Sequence, residues 1–157
     1  MFTVADLRNI AIQIERNGEE TYRKAAASAA DPEISEIFTK MADDEKRHAA
    51  WFESIQTDKE LTEEQREMEA VGKTILQEMV KDKTFSLEKK SLENIDSMDD
   101  LLIKSLGFEK DTILFYEMLS GFIDDDQTMV QLKSIIYEET RHFEALKEMQ
   151  GRTVTQA

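Results

Sequence analysis

The chain has two histidines, and each stands three residues after a glutamate: Glu45 before His48, and Glu139 before His142. A further glutamate lies thirty residues before each pair, Glu15 for the first and Glu109 for the second. The two sets superpose at an offset of 94 residues, which also carries Tyr22 onto Tyr116 and Arg47 onto Arg141. A whole spacing pattern repeated at one offset argues for an internal duplication.

On a helix, Glu and His at i and i+3 project from one face. They can bind one metal together, or the Glu can bridge two ions while the His holds one. Carboxylate and imidazole donors suit iron and manganese, with zinc also possible. One Glu from each of two helices, plus Glu-x-x-His from each of two others, is the ligand list of a carboxylate-bridged dimetal centre. The expected metal ligands are therefore Glu15, Glu45, His48, Glu109, Glu139 and His142. Charge supports two ions. Four carboxylates and two neutral imidazoles balance two divalent cations, whereas one cation would leave buried negative charge that forces protonation. The competing reading is a metal-free bundle with a buried Glu/His hydrogen-bond network. A lone Glu-x-x-His deserves that reading. Two of them, with matched upstream glutamates, favour metal.

Tyr22 and Tyr116 follow Glu15 and Glu109 by seven residues, two turns along the same face. Each hydroxyl could hydrogen-bond a ligand carboxylate and tune it, or be a core tyrosine bonded to any acceptor. Arg47 and Arg141 lie between the Glu and His of their motifs, where a surface or interhelix ion pair is the expectation.

The elements that carry these residues read as helices. The first is expected over 4–30, opened by a capping box of Thr3 and Asp6. Asp31-Pro32 reads as a helix N-cap followed by proline at the first helical position. The second helix then runs over 32–56, with an inward stripe of Ile34, Phe38, Met41, Glu45, His48, Phe52 and Ile55. A third is expected over 98–120, with Leu102, Leu106, Glu109, Ile113, Tyr116 and Leu119 inward and Gly121 at its end. A fourth runs from the Asp124-Asp125-Asp126 turn to about 150, with Leu132, Ile135, Glu139, His142, Leu146 and Met149 inward. Burying the Glu and His of each stripe without partners would cost several kcal/mol apiece. Residues 57–97 are too long for a turn between antiparallel neighbours. They read as a crossover containing an extra helix over 61–81, opened by a Thr62–Gln65 capping box, and a short one around 87–94. The expected architecture is an all-α, ferritin-like four-helix bundle of two helical hairpins with a long crossover. One domain over 1–150 would be followed by a frayed tail, 151–157.

Composition narrows the classes. No stretch approaches eighteen apolar residues, so no membrane span is expected. The N-terminus lacks the pattern of a signal peptide. With zero cysteines, disulfides, thiolate metal sites and thiol redox chemistry are excluded. These readings make the cytoplasm the expected location. A net charge of −14 argues against nucleic acid or an anionic membrane as partner.

The whole chain resembles the rubrerythrin-like branch of the ferritin-like superfamily. The similar segments are IERNGEETY (14–22), MADDEKRHA (41–49), FEKDTILFYEML (108–119) and IIYEETRHF (135–143). The phrase EKDTILFYE is similar to one group of stand-alone rubrerythrin-like diiron proteins. The resemblance implies two Fe ions, with Mn or Zn as possible substitutes, in a non-haem site that reacts with peroxide or dioxygen. Rubrerythrin proper carries a C-terminal rubredoxin domain with four cysteines. This sequence has none, so an external electron donor such as a rubredoxin-type protein is expected. The family also has an additional glutamate three residues after its third-helix ligand. Here that position is Thr112, and its counterpart in the first repeat is Gly18.

The expected function is a diiron oxidoreductase that reduces hydrogen peroxide or dioxygen, working as a homodimer. The alternative is an iron-binding protein whose site oxidises Fe(II) for storage or sensing. A structural helical adaptor comes third.

Overall fold

The computed structural model describes residues 4–55, 63 and 98–155. Its contacts divide the chain into two units, Met1–Lys59 and Glu60–Ala157. The first is a helical hairpin of α1, Val4–Ser28, and α2, Pro32–Ser54, packed against each other. Asp31 and Pro32 set its turn as expected. Asp31 adopts an extended backbone, and its carboxylate accepts a hydrogen bond from the Glu33 N–H at 2.9 Å. Pro32 forfeits only an N–H that the first helical turn could not have paired. The Ser35 hydroxyl donates to the Ala26 carbonyl at 2.7 Å and ties the start of α2 to the end of α1. At the far end of α2, Arg8 Nη1 donates to the Ile55 carbonyl at 3.2 Å. There the cation meets the negative end of the helix dipole and a carbonyl with no helical partner.

Burial holds this hairpin together. Phe38 and Phe52 are wholly buried, with Leu7, Ile14, Tyr22 and Met41 nearly so. Each such side chain contributes about 1.5–3 kcal/mol on leaving water. The pairs Arg16–Glu53 and Arg23–Asp43 link α1 to α2 on the exposed side. Ion pairs this exposed are worth about 0–1 kcal/mol each, so they trim the packing rather than drive it.

The second unit pairs α3, Met98–Leu119, with α4, Asp126–Thr155, across a 3₁₀ turn at Ser120–Phe122. Asp125 caps α4: its carboxylate accepts from the Thr128 N–H at 2.9 Å and from the Thr128 hydroxyl at 2.7 Å. The helix runs on to Thr155, past the expected end at 150 and through most of the tail expected to fray. Gly151 lies inside it with an exposed position. A single glycine lowers helix propensity by about 1 kcal/mol but removes no hydrogen bond, so it does not stop the helix as proline would.

The buried face of α3 differs from the expected stripe. Leu106 and Ile113 are only partly buried, while Leu101, Ser105, Phe108, Thr112 and Phe115 join Leu102, Glu109, Tyr116 and Leu119 in the interior. Apolar residues occur all round this helix, and Ile103 and Leu114 stay exposed at 57% and 48%. Periodicity therefore selects no single face. The Ser105 hydroxyl is buried with no hydrogen-bond partner among the described residues. Its counterpart at the 94-residue offset is Ala11, also fully buried. Ser105→Ala should thus raise stability by about 1 kcal/mol, by removing an unpaired buried hydroxyl and adding a better helix former. Urea unfolding measures it, and a loss of stability would mean the hydroxyl has a partner in solution.

The Thr3–Asp6 capping box, the 57–97 crossover with its Thr62–Gln65 box, and the helices over 61–81 and 87–94 lie outside the described residues. No helix among the described residues is long and apolar enough to cross a membrane.

Candidate metal centre

In the first hairpin, α1 supplies Glu15 and α2 supplies Glu45 and His48. Both glutamates are 0% exposed and the histidine 1%. The three side chains each offer a donor atom within 4.8 Å of the others. His48 Nδ1 lies 3.4 Å from Glu15 Oε2. Gly18 sits one turn beyond Glu15 and faces the same cluster. A Cβ at position 18 would stand 2.6 Å from Glu45 Oε2, closer than real side chains approach. A glycine in a helix interior costs about 0.5–1 kcal/mol relative to alanine. Here it leaves room for a carboxylate.

The second hairpin repeats the arrangement. α3 supplies Glu109, and α4 supplies Glu139 and His142, again with donor atoms within 4.8 Å of one another. His142 Nδ1 is 3.4 Å from Glu139 Oε2 and 3.7 Å from Glu109 Oε1. Burial pushes the Glu109 carboxyl well above its ordinary range, and the neighbouring charge and hydrogen bond of Glu139 push it further. His142 offsets part of this. Two carboxylates in a dry interior resist joint ionisation, and a proton or a cation relieves them. A divalent cation brings twice the charge of a proton to the same oxygens.

All six sequence-derived donors are therefore buried, and each hairpin gathers its own three. Two carboxylates and one imidazole, with no sulfur, form a donor set that suits a metal site. Tyr22 and Tyr116 are 1% and 0% exposed. Tyr22 stacks on Phe38 at 6.0 Å, and the Tyr116 ring lies 5.9 Å from that of Phe115. Arg47 sits on the surface and pairs with Asp44 at 3.0 Å, while Arg141 is exposed. The nearby carboxylates of α1 are turned to other partners: Glu19 to Arg23 at 2.7 Å, and Glu20 to Lys24 at 3.4 Å. Sequence reasoning left Thr112 out of the inward stripe. It is fully buried, and its hydroxyl donates to the Phe108 carbonyl at 2.7 Å. Its position three residues after Glu109, matched by Gly18 after Glu15, was the available signal.

A solved structure from Thermotoga maritima, provisionally described as a ferritin-like diiron-carboxylate protein, resembles this chain with a TM-score of 0.69. The match covers 97% of each chain at 22% identity. At that identity the likeness establishes the fold: an all-α, ferritin-like four-helix bundle. A family model described as Rubrerythrin matches residues 7–150, and the chain belongs to the rubrerythrin family. No curated protein matches it.

Proposed function

We propose that this protein is a non-haem diiron-carboxylate oxidoreductase that reduces hydrogen peroxide or dioxygen with electrons from an external donor. One observation carries the reading: in a chain of the rubrerythrin family, each hairpin gathers two buried carboxylates and one imidazole. In this reading the two trios serve one dimetal centre. Glu45 and Glu139 would be shared by the two ions, Glu15 with His48 would complete one iron position, and Glu109 with His142 would complete the other. The Tyr22 and Tyr116 hydroxyls would donate to ligand carboxylates and fix their orientation. The donors are at most 5% exposed, so their packing keeps bulk water from the reacting atoms. An iron pair, when bound, supplies the two electrons that peroxide reduction to water consumes. A rubredoxin-type protein would restore them. The same reading makes the protein a cytoplasmic homodimer.

Thr112 favours a second reading. It stands where the family carries an additional carboxylate, and its hydroxyl is committed to the backbone of α3. That departure suits an iron-binding protein which oxidises Fe(II) for storage or sensing. Anaerobic Fe(II) loading, followed by stopped-flow mixing with peroxide or with dioxygen, separates the two. Oxidation by peroxide faster than by dioxygen, in a dimer, is the expected result. Fast oxidation by dioxygen alone, in a particle of about 24 subunits as in closed ferritin-type shells, would overturn the first reading.

A further inference from the structure

Gly18 is the one helix-interior glycine of α1, and it lies against a carboxylate rather than a turn. An added Cβ would meet three atoms of the same side chain: Glu45 Oε2 at 2.6 Å, Cδ at 3.3 Å and Cγ at 3.4 Å. The space left by the missing side chain is thus filled by the outer half of Glu45. We propose that Gly18 is a positioning residue: it opens a slot on α1 that holds the Glu45 carboxylate in its metal-binding conformation. The inference rests on the metal-centre reading above.

The repeat makes the slot specific to one hairpin. Position 112 matches position 18 at the 94-residue offset and carries threonine, with its hydroxyl turned back to the Phe108 carbonyl. The duplicated ligand sets are therefore unlike at this point. Glu45 is given room to lie against a bare helix turn, and the matched position on α3 is occupied.

The clash at position 18 falls on the free end of a flexible side chain. Gly18→Ala can be accommodated by swinging the Glu45 carboxylate out of the slot, with the helices left in place. Alanine is also the better helix former. The metal-free variant should accordingly melt at the same temperature as the natural protein or up to about 4 °C higher. Its metal affinity should fall about 10–100-fold, the range found when a residue that orients a ligand is lost. Gly151→Ala is the control, because a Cβ there meets nothing within 4 Å. It makes the same propensity change without touching a carboxylate.

The experiment is anaerobic titration of the three metal-free proteins with Co(II), followed by its visible absorption, together with melting curves before and after loading. Weakened binding confined to Gly18→Ala, with its metal-free melting temperature maintained, is the expected outcome. Equal affinities in all three proteins would overturn the slot. So would a metal-free Gly18→Ala that melts several degrees lower or fails to fold, because position 18 would then serve packing rather than Glu45. Failure of the natural protein itself to bind Co(II) would instead refute the metal-centre reading.

Discussion

Glu45→Ala and Glu139→Ala should each strip the protein of most of its bound metal. In the proposed centre each residue bridges, so its loss removes a donor from both ions at once. The natural protein, reconstituted with Fe(II) without oxygen, is expected to hold two metals per chain. Binding to the native state alone stabilises it by about 2.7 kcal/mol when free metal is a hundredfold above its dissociation constant. For a chain of this length that is about 5–11 °C in Tm. The gain should nearly vanish in either variant and in the double variant His48→Ala/His142→Ala. The metal-free variants should keep their helices, and the double histidine variant should melt lower than the natural protein, because it leaves Glu15, Glu109 and Glu139 buried without the imidazoles that face them. Metal analysis and melting curves read both halves. A well-ordered single-metal site in the natural protein would sink the bridged centre. Equal metal-induced shifts in all proteins would place the binding on the acidic surface.

The second large effect is on pH. Burial and Glu139 hold the Glu109 carboxyl well above its ordinary range. Above the unfolded value of about 4.3, the unfolded chain releases a proton that native Glu109 retains. Across the window between that value and the raised native one, the native state binds more protons than the unfolded state. Stability of the metal-free protein therefore falls as pH rises through the window, by up to about 1.4 kcal/mol per pH unit. Metal displaces the proton, so metal binding strengthens as pH rises. The metal-induced rise in Tm should grow from pH 5 to pH 8 while the metal-free Tm declines. Glu109→Gln cannot titrate and should flatten the metal-free decline. Parallel curves with and without Fe(II) across this range would refute the coupling.

Much of this was legible in the chain. Helix punctuation was local and strong: Asp31-Pro32 specified a cap and a start whose chemistry needs no tertiary contact. The burial and grouping of the six Glu and His side chains were legible because a duplicated spacing is a geometric statement, and the 3.6-residue period converts it into one face. The buried face of α3 was not. Leu101, Leu102, Ile103, Leu106, Phe108, Ile113, Leu114 and Phe115 surround that helix, so packing rather than pattern chose which of them went inside. Ser105 was missed for the same reason, since a small hydroxyl residue on an apolar helix declares no side, whereas Thr112 carried a signal in its spacing from Glu109. The place of Gly18 needed the position of Glu45, twenty-seven residues away and on another helix.

The short link between α1 and α2 also has a consequence in time. Glu15, Glu45 and His48 all lie within the first 48 residues, and their counterparts follow 94 residues later. Ribosomes add roughly 5–20 residues per second, so the first trio is synthesised about 5–20 s before the second. Helices form in under a microsecond and local hairpins of helices in microseconds to milliseconds. The nascent chain thus carries one complete set of three donors long before it carries six. Two carboxylates and an imidazole bind divalent ions reversibly and in the Irving–Williams order. In the proposed diiron centre, a preference for iron would be imposed when the second set arrives, by exchange of any ion the first set had taken up.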